Sequence, residues 1–289
     1  LGFLPGTVET FYEPFAGSAA VSLAAARASL ARNFVISDSL KPLIGIWDAI
    51  LHSPEDLANS YERIWAGSAD PRDSHFTEIR AEYNRSGDPA KLLYLLARCV
   101  KNAVRFNRLG EFNQSPDRRR RGMSPDKMRW NLFGAHHLLA GHTVARSVDY
   151  AEVLASAGTK DFVYMDPPYQ GTSQTRDRRY IEALDVDKFV NQLDQLNSRG
   201  VRFIVSFDGK CGEKSYGPEL PAFLKLRRYE LEVGRSTQAT LNGRNEVTTE
   251  SLYVSPTISS TAPFALSLKR VQIDMLDPRA VGKAAAAGV

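Results

Sequence analysis

The sequence predicts an α/β protein whose mostly parallel sheet ends in an antiparallel C-terminal hairpin and is interrupted by a helical, basic insertion. Three observations carry that expectation. A β-branched and aromatic run leads through a glycine turn into a helix-prone stretch and a second short apolar run, which is how a βαβ unit begins. Helical periodicity then holds from about Lys41 to Arg108. Strand patterning returns at Asp161 and recurs on both sides of Asn242-Gly243, a two-residue hairpin signal. The expected organisation is a discontinuous α/β domain over 1–40 and 141–256, an insertion over 41–140, and a tail over 257–289 that is partly disordered.

Taken in order, Val8 to Phe15 reads as the first strand and runs into Ala16-Gly17-Ser18. Ala19 to Arg32 is rich in Ala, Leu and Val and predicts a helix. Phe34 to Asp38 is short and apolar and predicts a buried strand. In the insertion, Leu43, Ile46, Trp47 and Ile50 recur at helical spacing, as do Leu92, Leu95, Leu96 and Cys99. Asp88-Pro89 predicts an N-cap followed by proline at the first helical position. Beyond it come a strand at Asp161 to Met165, a helix at Val186 to Ser198 and a strand at Val201 to Phe207. Arg227 to Val233 and Val247 to Val254 flank the hairpin turn. Past Pro256 the periodicity fades, and the chain ends in the alanine-rich run Lys283 to Val289.

Composition narrows the class. With 43% hydrophobic and 24% charged residues in 289, the chain reads as globular rather than disordered, collagenous or membrane-spanning. Cys99 and Cys211 lie far apart with no metal-ligand spacing, so neither a disulfide framework nor a zinc site is expected, and a reducing, cytoplasmic setting fits. No secretory signal is expected either, although the first residue is not Met. The charge is uneven. Between Arg98 and Arg129 ten basic residues face three acidic ones, a surplus of seven in a chain of net charge +4, so the remainder is net acidic. Such a surplus suits a polyanion, because each cation that neutralises a phosphate releases condensed counterions. A solvated basic loop is the plain alternative. Interleaved Phe106, Asn107, Phe112, Asn113, Trp130 and Asn131, and the placement inside an insertion, favour the nucleic-acid reading.

Two motifs carry chemistry. In Tyr12-Glu13-Pro14-Phe15-Ala16-Gly17-Ser18 a glycine stands where strand becomes helix, permitting a tight turn and close approach of a ligand to backbone. Asp38 follows Gly17 by 21 residues, near the interval at which an acidic strand end meets ribose hydroxyls. A full GxGxxG is missing, so a ribose-bearing ligand without pyrophosphate, such as S-adenosyl-L-methionine, fits better than a dinucleotide. The second motif is Asp166-Pro167-Pro168-Tyr169 at the carboxyl end of a strand. An exocyclic amine can donate one hydrogen to the Asp166 carboxylate and one to the Pro167 carbonyl, leaving its nitrogen aimed at an electrophile. Tyr169 offers a face on which an extruded base can stack.

Together these motifs resemble the S-adenosylmethionine-dependent DNA adenine-N6 methyltransferases, in particular the Dam-like alpha group, in which cofactor motif, target-recognition domain and DPPY occur in that order. The resemblance covers Leu4 to Pro256 and rests on YEPFAGS at 12–18, Asp38, Asp149-Tyr150 within SVDYAEVL, DFVYMDPPY at 161–169, and Arg105-Phe106-Asn107 followed by Gly110-Glu111-Phe112-Asn113. It implies a Rossmann-like methyltransferase sheet and transfer of a methyl group to the N6 of a flipped adenine in double-stranded DNA. It further implies DNA methylation of the restriction-modification kind, by a monomeric bacterial or phage enzyme working at the nucleoid. By the same resemblance Phe15, Ala16, Gly17, Asp38, Asp149, Tyr150, Asp166 and Tyr180 would contact the cofactor. Asp166, Pro167, Pro168 and Tyr169 would be catalytic, and Arg105, Asn107 and Asn113 would belong to a DNA-reading hairpin, with Arg105 on a base edge. Arg118, Arg119, Arg120 and Arg121 suit phosphate contacts. The chain departs from the pattern at Ala19, where a second glycine is usual, and after Asn113, where Gln-Ser-Pro-Asp-Arg-Arg-Arg-Arg replaces Val-Pro-Phe-Gly. The group's N-terminal Lys/Trp-Gly-Gly-Lys segment would lie just before Leu1.

Other residues attract no role. His136 and His137 diverge on a helix and read as its surface, no metal site being expected. Ser18 and Ser206 lack a His/Asp pattern, and Trp47 and Trp65 read as core. Arg176, Arg178 and Arg179 suit either a loop closing over DNA or a solvated one. Two competing functions stand beside the leading one. A ribosomal-RNA amino-group methyltransferase also carries DPPY, but seldom with 149 residues between Gly17 and Asp166. The other is a DNA-binding relative without catalysis.

Overall fold

The structure is a computed structural model that describes residues 6–68, 70, 74–100, 104–168, 184–211, 214–216, 219–235 and 247–258. The chain opens β1 (Val8–Glu13), α1 (Ala20–Arg27), β2 (Ala31–Ser37). Five helices follow: α2 (Lys41–His52), α3 (Pro54–Ala66), α4 (His75–Ser86), α5 (Pro89–Arg98) and α6 (Pro125–Leu139). The sheet resumes with β3 (Thr143–Arg146), α7 (Tyr150–Ser156), β4 (Phe162–Met165), α8 (Val186–Ser198), β5 (Arg202–Cys211), β6 (Lys214–Tyr216), β7 (Arg227–Arg235) and β8 (Val247–Val254).

The strands run in the order β3-β2-β1-β4-β5-β8-β7, with β6 paired to β5 off that path. The first five are parallel, while β8, β7 and β6 are antiparallel to their neighbours. The chain therefore leaves β1 toward one edge and later returns to fill the other side from β4. The crevice outside the carboxyl ends of β1 and β4 is the switch point at which open α/β sheets place ligands.

Apolar residues alternate between the two faces, as the strand period requires. Phe11, Phe34 and Phe162 pack on the face covered by α1, α2 and α6, with Phe11 stacked on Phe162 at 5.6 Å. Val163, Met165, Phe203, Val205 and Phe207 pack on the other face against α7 and α8, where Phe189 stacks on Phe207 at 5.6 Å. The helical insertion does not close a core of its own: Tyr61, Phe76, Leu92, Tyr94 and Leu95 are continuous with the first cluster.

Several expectations change. The first helix ends at Arg27, and Ala31 and Arg32 open β2 instead. Ser29 takes the left-handed conformation (φ 52°) and Leu30 N–H donates back to Ala25 O, so the chain turns where glycine would usually announce a stop. The first strand ends at Glu13, and α5 ends at Arg98, short of the expected Arg108. β3 has no counterpart in the expected elements. Asp88 does cap α5, accepting from Ala90 N–H at 2.8 Å, and α8 spans Val186–Ser198 as expected. Asn242-Gly243 and most of the tail lie outside the described residues. Among the described residues no helix is long and apolar enough to cross a membrane, and no group of three or more His, Cys, Asp or Glu is placed to hold a metal.

Candidate active site and basic hairpin

The carboxyl ends of β1, β2 and β4 bring both motifs to one edge of the sheet. Gly17 and Ala19 both take positive φ, 48° and 46°, so the turn from β1 into α1 is left-handed at two points. The position that usually holds a second glycine thus keeps its conformation with alanine, at a cost of about 1–2 kcal/mol. What holds the turn is Asp38. Its Oδ2 accepts from Gly17 N–H at 3.0 Å and its Oδ1 from Leu40 N–H at 2.9 Å. Burial raises this carboxyl above its ordinary range against those two hydrogen bonds. Trp47 is core as expected, but its Nε1–H also donates to Gly17 O at 3.0 Å, a tertiary contact no local pattern announces.

Glu13, the last residue of β1, is 4% exposed. It accepts from Ser22 N–H at 2.7 Å and from the Ser22 hydroxyl, which anchors the first turn of α1. Burial pushes its carboxyl up to about 7, with a further push from Asp166. Asp166 follows β4 directly, and Pro167 beside it is buried. Its carboxyl is pushed up to about 6, first by the atoms crowded around it and then by Glu250. Because the residue as a whole is exposed, water screens much of that effect.

Glu250 has no motif to mark it. β5 carries a bulge between Ser206 and Gly209, opposite Leu252 and Glu250 of β8. A Cβ at Gly209 would lie 2.8 Å from Thr249 O, so only glycine allows β8 to approach there. Tyr169 and Tyr180, like Arg176, Arg178 and Arg179, lie outside the described residues.

Beside the turn, Phe15, Tyr150 and Phe189 form an aromatic cluster, with Phe15 and Tyr150 ring centres 5.1 Å apart. The Tyr150 hydroxyl is buried with no hydrogen-bond partner among the described residues, and burial pushes it up to about 12. Asp149 caps α7 through Ala151 N–H at 2.9 Å and pairs with Lys188 Nζ at 3.2 Å. An open, polar depression lined by Thr7, Arg32, Lys160 and Arg202 lies at the opposite, amino end of the strands, away from both motifs.

The basic segment divides more sharply than its composition suggests. Phe106 and Phe112 pair across a hairpin. Asn107 builds its turn: Oδ1 accepts from Leu109 and Glu111 N–H, each at 2.9 Å, and Nδ2 donates to Glu111 Oε2 at 2.8 Å. Asn107, expected on the DNA-reading hairpin, thus spends its side-chain amide on the turn itself. Arg108 and Leu109 stand exposed at the tip, Arg105 is half-buried, and Asn113 is exposed.

Among the four consecutive arginines, Arg118 is exposed and Arg119 makes two 2.9 Å bonds to the Asp117 carboxylate. Those bonds hold Asp117 down at about 2. Arg120 reaches Cys99 O at 3.2 Å and Asp117 at 3.3 Å. Arg121 lies 3.8 Å over the Trp65 ring and donates to Ser68 O. Arg121 is thus built into the fold, and Trp65, packed against the core as expected, also carries its guanidinium. His136 is likewise no plain surface residue, since its Nδ1 lies 3.0 Å from Ile50 O.

Comparison with known proteins agrees with this arrangement. The family model of the D12 class N6 adenine-specific DNA methyltransferases matches residues 3–220. Modification methylase StsI of Streptococcus sanguinis is 26% identical over 217 residues, covering 71% of this chain and 32% of that protein. Type II methyltransferase M.FokI of Planomicrobium okeanokoites is 26% identical over 213 residues, with 70% and 32% coverage. Type II methyltransferase M.MjaIII of Methanocaldococcus jannaschii is 22% identical over 220 residues, with 70% and 74% coverage. The match thus spans about a third of the first two relatives and three quarters of the third. With the family match running from the start of the sheet through the Asp166 motif, the chain belongs to the D12 class N6 adenine-specific DNA methyltransferase family.

Proposed function

We propose that the protein transfers a methyl group from S-adenosyl-L-methionine to the N6 of an adenine flipped out of duplex DNA at a specific sequence. The observation that carries this reading is the convergence of the Asp38-held glycine turn and Asp166-Pro167 at the ends of β2, β1 and β4. When bound, the cofactor supplies a methyl group on a positively charged sulfur. Its fit is supported by the aromatic cluster, by the partnerless Tyr150 hydroxyl and by the Asp38 carboxylate, whose remaining lone pairs can accept from ribose hydroxyls. Phe15, Ala16, Gly17 and Tyr150 would enclose the adenosine. Asp149 would join them by sharing a carboxylate that Lys188 already holds.

On the target side, Asp166 and the Pro167 carbonyl would each accept one hydrogen of the amine. They thereby fix the nitrogen lone pair in line with the methyl group, which is where most of the rate gain in such a displacement arises. The Asp166 carboxylate also faces the positive charge that develops on the amine. Tyr169 would stack on the extruded base, and Tyr180 would line the site. Arg105 and Asn113 on the hairpin would read bases, and Arg118, Arg119 and Arg120 would meet phosphate. Incubation with methyl-labelled S-adenosylmethionine and either duplex DNA or ribosomal RNA tests the reading. Label recovered in N6-methyladenine of DNA is expected; label confined to RNA, or to another base, overturns it.

A further inference from the structure

A two-stranded ribbon alone barely holds its shape in water. The hairpin over residues 105–113 has only short pairing of its own. Asn107 N–H donates to Glu111 O at 2.8 Å and Asn113 N–H donates to Arg105 O at 3.1 Å. Phe106 and Phe112 face each other between those bonds as a pair that exchanges none. In an antiparallel ladder the backbone N–H and C=O of such a pair point outward, away from the partner strand. Something else must satisfy them.

For Phe112 that partner is one side chain of α4. Phe112 N–H donates to Asn84 Oδ1 at 2.9 Å, and Asn84 Nδ2 donates to Phe112 O at 3.2 Å. The Asn84 amide thus engages Phe112 as the peptide group of a third strand would. One helical turn earlier, Arg80 Nη1 donates to Gln114 O at 3.1 Å. The spacing matches: four residues of helix advance about 6 Å and two residues of strand about 6.8 Å, so positions i and i+4 of α4 meet alternate residues of the hairpin arm. Tyr83, between them in sequence, sets its ring edge-on to Phe112 at 6.3 Å and tilted to Phe106 at 6.5 Å. Helix α4 is therefore a rail along the outer edge of the hairpin.

We infer that Asn84, seconded by Arg80, is a positioning residue for sequence recognition, fixing through the backbone of Phe112 and Gln114 where the hairpin presents Arg105 to DNA. The inference rests on the proposed reading that this hairpin contacts bases. A side chain held a few tenths of an ångström out of place loses much of a bidentate contact, whereas phosphate contacts spread over a flexible surface tolerate the shift.

The test uses the full chain and the sequence that the wild-type protein itself methylates, mapped by sequencing its product DNA. In Asn84→Ala, amide exchange over 105–113 followed by mass spectrometry should accelerate roughly tenfold. Discrimination between the mapped duplex and single-substituted ones, measured by fluorescence anisotropy, should fall roughly five- to tenfold. The salt dependence of binding should stay unchanged. Asn84 is exposed, so the substitution opens no cavity in the core. Asn84→Asp keeps the acceptor for Phe112 N–H but turns a carboxylate toward Phe112 O, and should behave like the alanine variant. Arg105→Ala serves as the reference. If it loses discrimination while both Asn84 variants retain it, or if exchange is unaltered in them, the positioning role is wrong and the hairpin reading survives. If Arg105→Ala also keeps its preference, the hairpin reading falls and this inference falls with it.

Discussion

Replacing Glu13 with glutamine should make the protein more stable above neutral pH and no more stable below pH 5. The Glu13 side chain is all but sealed from water, and burial pushes its carboxyl from 4.5 up to about 7 even though Ser22 donates to it twice. A group that holds its proton more tightly when folded than unfolded contributes fully below the unfolded value, near 4.5, and loses that contribution as pH rises through the folded one, near 7. At about 1.36 kcal/mol per tenfold in proton affinity, ionised Glu13 costs the fold about 3 kcal/mol at pH 8. Glutamine has the same shape and keeps an oxygen for Ser22, but its amide hydrogens need a partner that the carboxylate did not, a loss of about 1 kcal/mol. The expected balance is a gain of about 2 kcal/mol at pH 8 and a loss of about 1 kcal/mol at pH 4.5. Urea unfolding of both proteins across that range measures it. A variant that differs from wild type by the same amount at both ends would refute the account, because then the charge of Glu13 is not what the fold resists.

Further outcomes are expected at Asp166, at Asp38 and along the arginine run. Asp166→Ala should abolish methyl transfer in single-turnover assays while DNA is still bound. In the unaltered protein the rate should fall as pH drops through about 6, since only the ionised carboxylate accepts from the amine; a rate flat to pH 5 contradicts the role. Asp38→Ala should weaken S-adenosylmethionine binding by roughly 1.5–3 kcal/mol in calorimetry, toward the upper end because Gly17 and Leu40 lose the same acceptor. Removing Arg118 and Arg119 together should flatten the plot of log affinity against log salt by about 0.9 for each phosphate no longer neutralised. Arg121→Ala should leave that slope alone and instead lower stability by about 1–2 kcal/mol, as its guanidinium leaves Trp65; thermal melts separate the two.

Much of this fold is legible in the sequence because local signals agree with the tertiary result. The βαβ opening, the Asp88-Pro89 cap, α8 and the strand before Asp166 each combine apolar periodicity with a matching end signal. Where the signal is missing, so is the expectation. β3 is a four-residue edge strand with Val144 55% exposed, too short and too one-sided to stand out from the loop around it. The end of α1 is hidden because Ser29, not glycine, takes the left-handed position. At the site, Asp38 is legible through its interval from Gly17, a property of the βαβ unit itself. Trp47, Glu250 and Asn84 are not, because each reaches its partner through packing between distant segments. What the arginine run does inside the fold is illegible for a related reason: composition counts charges without their partners, and Asp117, Cys99 O and Trp65 engage Arg119, Arg120 and Arg121.

The distribution of charge then has a consistent physical sense under the proposed function. Burial raises Glu13 and Glu250 above their ordinary range, so the fold keeps carboxylates where ionising them is costly, and Asp166 is raised beside them at a more open position. Natural sequences tolerate such a cost chiefly where a ligand repays it. A sulfonium and an amine becoming positive are ligands of that kind, and a phosphate backbone is the opposite. The basic hairpin and Arg118 to Arg120 would attract the backbone, whereas Asp166 and Glu250, when ionised, would repel it. Duplex DNA would thereby be held at the insertion, with only an uncharged base admitted to the crevice. On this argument, neutralising Glu250 should loosen exclusion of the backbone more than it alters the chemistry, and should do so most at low ionic strength, where charges on an open surface act furthest.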